Sequence, residues 1–218
     1  MEALKNIKAV IFDMDGTLID TEKIYRLIWP ITLKEMGLTM KEEHYMQMRS
    51  LGRPFAPIKM KEWYGQDFDY DGARARRKIK FENYIAEHGI QCKKGAIELL
   101  EFLHSRGIVT AIATATDMER AERYLEMTNL TGHFDKVISA TMVKEGKPSP
   151  YVYEYACEQL GFKPDECLAV EDAPNGILSA YRAGCKVIMV PDQSQPDSET
   201  SARLTACVDS LDQIIDML

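Results

Sequence analysis

Two aspartates stand two residues apart where an apolar run stops: "AVIFDMDGTLIDTE", residues 9–22, puts Asp13 directly after Phe12 and Asp15 just beyond Met14. Like charges at that spacing repel, so their chemistry needs a reason. A carboxylate can attack phosphorus as a nucleophile, and a second carboxyl nearby can give a proton to the leaving oxygen and take one back from water. Gly16 follows, and without a Cβ it lets backbone N–H groups come close to an anion. Further along, Thr114 ends "GIVTAIAT" with a hydroxyl, Lys147 in "EGKPSP" supplies a compact positive charge, and Glu171 and Asp172 close "CLAVED". Three or four carboxylates meeting at one place call for a hard divalent cation. Mg²⁺ takes one or two of them and completes its shell with water and phosphate oxygens. The inventory suits phosphoryl transfer, where positioning and charge neutralisation do most of the catalysis. Taken singly, each motif is more often a turn, a cap or a solvated loop. Their order, each at a strand end or in the loop beside it, is not accidental.

These side chains need a scaffold that gathers residues about 160 positions apart. Five short runs, 7–13, 107–114, 136–140, 167–172 and 185–191, are apolar on successive residues, the mark of strands buried on both faces. Between them, 95–107, 117–130, 149–161 and 173–184 carry helical spacing with start and stop signals such as Asp117, Pro174 and Gly161. Alternating strands and helices predict an α/β doubly wound parallel sheet, whose ligands bind beyond the carboxyl ends of the strands. From 15 to about 90 no strand is evident. "TEKIYRLIWPITLKEMG" reads as a helix that Pro30 would kink or interrupt, and two further helical stretches follow, so a helical block of roughly 70 residues is inserted after the first strand. The stretch "PDQSQPDSETSA" (191–202) reads as a polar surface loop.

With 218 residues, 45% hydrophobic and 28% charged, the chain can bury a full core and one small extra domain. Its net charge of −7 argues against nucleic acid as a partner, and an anionic substrate would need a local positive site. No run approaches the ~20 apolar residues of a membrane span, and the first apolar run is too short for a signal peptide. The expected location is the cytoplasm and the expected form a monomer. Five scattered cysteines without a CxxC pair read as buried free thiols and argue against a zinc site. His44, His88, His104 and His133 lack metal-ligand spacing and read as structural.

At this point the sequence resembles the haloacid dehalogenase superfamily, in its phosphoglucomutase-like branch with a helical cap. The four signatures are "DMDGT" (13–17), "IATAT" with Thr114, "GKPSP" with Lys147, and "VEDAPNGILSAYRAG" with Glu171 and Asp172. The resemblance spans essentially the whole chain. It implies a Rossmann-like core from 1–15 and 91–218 and a helical cap from 16–90. It implies Mg²⁺ held by Asp13, the backbone carbonyl of Asp15 and Asp172, with Glu171 as ligand or water-mediated partner. Asp13 is then the catalytic nucleophile and Asp15 the acid and base. Thr114, with Ala115 beside it, and Lys147 bind the transferring phosphoryl group together with Gly16. Two departures are visible: Thr114 stands where serine is frequent, which keeps the hydroxyl, and Tyr151 stands where many relatives have aspartate.

The resemblance leaves a choice between hydrolysis and transfer within a sugar phosphate. Asp15 argues against halide displacement, which needs no acid for an alkoxide. Sugar phosphomutases of this branch carry a cap stretch like "KGxSRxxSL"; here "MRSLGRPFAPIKM" keeps Gly52 and Arg53 but lacks the serine and the arginine three positions after the glycine. The reading is therefore a Mg²⁺-dependent phosphohydrolase of a small phosphorylated metabolite, a sugar or polyol phosphate, with a β-phosphoglucomutase-like mutase as the alternative. Arg49 and Arg53 are candidates for gripping a second anionic or polar group of the substrate, the other reading being that both are solvated residues of the cap surface. The basic run "ARARRKIK" (73–80) reads as a solvated helix face from which one residue could reach the cleft, and Asn175 as a loop contact. A signalling receiver domain is disfavoured because its phosphoacceptor lies later in the chain. A binding protein with a dead site would have to be blocked by its cap.

Overall fold

Every residue of strand β1 (Ala9–Phe12) is buried, and the rest of the fold is arranged around it. The computed structural model describes residues 4–218. The strands β1, β2 (Val109–Thr114), β3 (Lys136–Ser139), β4 (Cys167–Glu171), β5 (Lys186–Met189) and β6 (Ala206–Cys207) form one parallel sheet in the order β3-β2-β1-β4-β5-β6. The run of residues 9–12 is apolar without alternation because both faces are covered. Val10 and Phe12 join one cluster, with Leu99, Leu103 and Ile214, whereas Ala9 and Ile11 join the other, with Val152, Ala156 and Ile177.

The helices in chain order are α1 (Glu22–Glu35), α2 (Glu42–Met48), α3 (Phe55–Tyr64), α4 (Tyr70–His88), α5 (Ala96–Ser105), α6 (Met118–Met127), α7 (Tyr151–Leu160), α8 (Pro174–Ala183) and the single turn α9 (Ser198–Ser201). Asp117 caps α6 by accepting from the Arg120 N–H, Pro174 opens α8, and glycines in the left-handed region end α7 and α8. The expected α/β doubly wound architecture is what the chain adopts.

The helical block between β1 and α5 departs from expectation at two points: it contains the short helix α2, which the sequence did not suggest, and Pro30 lies inside α1 without interrupting it. A proline there loses a backbone hydrogen bond, but α1 buries Tyr25, Ile28, Trp29 and Leu33 and packs along α4, where the Tyr25 and Phe81 rings stack at 4.4 Å. That packing outweighs the local preference. The block leaves and rejoins the core at adjacent crossings: the Asp20 N–H donates to the Gln91 carbonyl at 2.9 Å. Strand β6, two residues long, had no visible signal in the sequence. The five cysteines are free.

Candidate active site

The order of the strands reverses between β1 and β4, and ligands of open α/β sheets bind outside such a switch point. Phe12 pairs with Ile112 on one side and Val170 on the other, so the next residues, Asp13 and Glu171, emerge side by side at the carboxyl edge. Asp13 continues the ladder by donating its N–H to the Val170 carbonyl at 2.9 Å. Asp172 follows Glu171, and Thr114 ends the neighbouring β2. The register of the sheet, rather than any loop, thus sets these groups.

Lys147 is fully buried and donates to Asp13 Oδ1 and, at 2.6 Å, to Glu171 Oε1. Glu171 Oε1 also accepts from the Tyr153 hydroxyl at 2.7 Å. Asp15 points elsewhere: Oδ1 accepts from the Thr21 hydroxyl at 2.6 Å and Oδ2 from the Thr116 hydroxyl at 2.8 Å. Thr116 is itself placed by its N–H, which donates to the Thr114 hydroxyl oxygen at 3.0 Å, and by its carbonyl, which accepts from Ser139 at 2.8 Å. Gly16 has φ +88°, and a Cβ there would sit 2.7 Å from Asp172 Oδ2 and 2.9 Å from Glu22 Cγ; only glycine fits.

Arg49, at the end of α2, reaches into this cluster with a fully buried side chain. Its Nη2 donates to Asp172 Oδ2 and, at 3.1 Å, to the Asp172 carbonyl; Nη1 donates to the Ser194 hydroxyl at 2.9 Å. The 191–202 segment therefore does more than cover the surface: Ser194 contacts the arginine that meets Asp172. Arg53 is half exposed, pairs with Asp71, and lies over the Tyr70 ring. Asn175 holds the loop after α2, donating to the carbonyls of Gln47 and Arg49 at 3.1 and 2.8 Å. Glu22, on the buried face of α1, accepts from the Tyr45 hydroxyl at 2.6 Å.

Asp13, Asp15, Glu22, Glu171 and Asp172 are buried against two buried cations, Lys147 and Arg49. Burial, followed by the opposing attraction of Lys147 and the repulsion of Glu171 and Asp172, pushes Asp13 well above the usual carboxylate range. Burial likewise pushes Asp172 up to about 7 against the pull of Arg49, and burial with the charge of Asp172 pushes Glu22 up to about 8. Burial alone would drive Lys147 down, but Asp13 and Glu171 hold it above its ordinary value. The site as built lacks positive charge. Its donor set fits a hard divalent cation: Asp13, Glu171 and Asp172 each offer an oxygen within 4.8 Å of the others, and Asp13 Oδ2 is buried without a partner.

Over the edge lies a cavity of about 440 Å³, lined from the core by Asp13, Asp15, Ala115 and Thr116 and from the helical block by Trp29, Arg49 and Arg53, among others. Thr114, Lys147, Glu171 and Asp172 stand behind that lining. The family model described as haloacid dehalogenase-like hydrolase matches residues 7–184.

The chain belongs to the haloacid dehalogenase-like hydrolases.

This hydrolase is 30% identical over 206 residues to the Drosophila melanogaster protein named "Probable pseudouridine-5'-phosphatase", covering 92% of this chain and 88% of that one. It is also 30% identical over 207 residues to hexitol phosphatase A of Escherichia coli strain K12, covering 95% and 93%. Its fold matches the crystal structure of β-phosphoglucomutase from Clostridium difficile with a TM-score of 0.81 at 21% identity, over 95% of this chain and 93% of that one. Sequence reasoning missed Thr21, Glu22, Thr116 and Tyr153. Glu22 left a trace, since it shares the helical face of Tyr25 and Trp29. A threonine or tyrosine that only supports a carboxylate leaves none.

Proposed function

We propose that this hydrolase is a Mg²⁺-dependent phosphatase of a small phosphorylated metabolite, a sugar or polyol phosphate, working through an aspartyl phosphate on Asp13. The observation that carries the reading is the state of Asp13: Oδ1 is fixed by Lys147, and Oδ2 is buried with no partner. A buried oxygen without a partner is costly, and a substrate phosphorus or a cation removes that cost. Asp13 Oδ2 attacks phosphorus and the bond to the leaving oxygen breaks. Protonated Asp15 gives that oxygen its proton. The resulting Asp15 carboxylate, oriented by Thr21 and Thr116, takes a proton from the water that then attacks the phosphoryl group, and inorganic phosphate leaves with Asp13 restored.

In this reading Asp13, Asp172 and the Asp15 carbonyl hold the cation, with Glu171 beside them. When bound, the cation supplies neutralising charge to the phosphoryl oxygens. Gly16, Thr114, Ala115 and Lys147 bind the transferring group. Residues 16–90 act as the cap over a core of 1–15 and 91–218, with Arg49 bridging the two and Arg53 at the cavity wall. Support for a polyol or sugar phosphate comes from the name of the Escherichia coli relative. The resemblance in fold to a phosphoglucomutase makes transfer to a sugar hydroxyl the second reading.

A panel of sugar and polyol phosphates with Mg²⁺ is expected to release inorganic phosphate, with acid quench and peptide mapping finding phosphate on Asp13. Release with an unlabelled Asp13 would sink the covalent intermediate. Conversion of β-glucose 1-phosphate to glucose 6-phosphate with a bisphosphate primer, without release, would replace hydrolysis by the mutase reading.

A further inference from the structure

The cavity that reaches Asp13 also holds an excess of positive charge that the chemistry above does not use. Arg74 and Arg77 project from α4 and Arg120 from α6, and all three line both this cavity and a smaller cleft of about 180 Å³ beside it. Arg120 is 4% exposed; Asp117 accepts from its Nε at 2.8 Å, and its two terminal nitrogens make no hydrogen bond among the described residues. Arg77 has no ion pair among the described residues. Its guanidinium carbon lies 4.8 Å from the ring centres of both Tyr25 and Trp29, and its Nε is buried without an acceptor. Arg74 pairs with Asp117 alone among the described residues, at 3.9 Å. Asp71, the other carboxylate at the cleft, is taken by Arg53.

Three guanidinium groups thus share one carboxylate, Asp117, in a chain whose net charge is −7. Burial, and then the charges of Arg77 and Arg120, push Arg74 below its ordinary value, whereas Arg120, lowered by burial, is held above its own by Tyr25, Tyr124 and Asp117. Aromatic faces hold the Arg77 plane in place, so little freedom is lost when its N–H groups meet an oxyanion. Planar forks that converge on one space are suited to carboxylate or phosphate.

We propose that Arg74, Arg77 and Arg120 form a subsite for a second oxyanion, a phosphate or a carboxylate, carried on the leaving group of the substrate away from the ester that is cleaved. The inference rests on the phosphatase reading above and narrows its substrates to those with two anionic groups. The surplus of two positive charges matches a phosphate monoester dianion best.

The test compares, with Mg²⁺ and the wild-type enzyme, alkanediol monophosphates, alkanediol bisphosphates and phosphooxy carboxylates over a series of chain lengths, beside p-nitrophenyl phosphate. At one or more lengths the second anion is expected to raise kcat/KM at least tenfold, about 1.4 kcal/mol, over the monophosphate of equal length. The larger of the two gains identifies the group that the subsite prefers. Arg77→Gln and Arg120→Gln are expected to collapse that ratio, and Arg120→Lys to retain part of it. Phosphate release from p-nitrophenyl phosphate with a ratio near one at every length overturns the subsite and leaves the phosphatase reading standing. Calorimetric titration with alkane bisphosphonates and monophosphonates reads the subsite without turnover. Tighter binding of the former supports it, and equal affinity overturns it even if no ester is cleaved.

Discussion

At the sheet edge, Lys147 and Arg49 meet Asp13, Glu171 and Asp172 directly; on α4, Arg74 and Arg77 stand almost without counter-charge. The edge is built on strand register, and nearly every polar atom there has a named partner. The arginines sit on one face of a single helix, and aromatic rings, not carboxylates, hold Arg77. The difference separates two tasks. In the proposed function the edge groups are held still by the protein with only Asp13 Oδ2 left for the reacting phosphorus, whereas the groups that select a substrate are left largely unsatisfied so that the ligand completes them.

Substitutions can break this division, beginning at the edge. Asp13→Asn removes the nucleophile and is expected to lower kcat by about 10⁴-fold or more while the circular-dichroism spectrum stays that of the wild type; retained turnover would remove the basis of the mechanism. Asp15→Asn is expected to slow an alkyl phosphate by ~10²–10⁴-fold and an aryl phosphate much less, since a phenolate leaves with little help. Equal slowing of both substrates would count against the acid role.

Arg49→Met tests the cation that crosses from the helical block into the edge. It strips Asp172 of its buried counter-charge and leaves it the Thr17 hydroxyl at 3.3 Å, so the metal-free protein should lose about 3–5 kcal/mol of stability, read by urea denaturation. Mg²⁺ should restore more stability in this variant than in the wild type; identical restoration in both would show that Arg49 and the cation do not share Asp172. The smallest effect belongs to Thr116→Val, which takes one hydroxyl from Asp15. A loss of roughly tenfold in kcat, about 1.4 kcal/mol, is expected with alkyl phosphates, and no such difference in the inhibition constant of inorganic phosphate.

The edge was legible in the sequence and the arginines much less so, for a physical reason. An apolar run that ends in Asp or Glu announces both a buried strand and the place where its charge emerges, so Asp13, Glu171 and Asp172 could be read from order alone. Thr114 ends β2 in the same way, and Lys147 lies in the loop that precedes α7. The run 73–80 is basic on several faces, and composition alone suggested a solvated helix. Its periodicity held the missing information: Arg74 and Arg77 fall in line with the buried Tyr70, Ala73 and Phe81, whereas Arg76 and Lys78 are exposed. Thr21, Thr116 and Tyr153 act through other residues, and no local pattern marks a hydroxyl for that role. Pro30 does not interrupt α1 because the packing of its buried face overrides local propensity.

Where the helical block meets the lysine loop, two backbones touch with no side chain between them. The Gly52 N–H donates to the Lys147 carbonyl at 2.8 Å and the Gly146 N–H to the Arg53 carbonyl at 2.7 Å, while a Cβ on Gly52 would stand 2.7 Å from the Gly146 Cα. A clasp made of main chain does not care which residues flank it. Descendants of this sequence can therefore vary the side chains on either side of Gly52 without losing the junction, so long as both glycines survive.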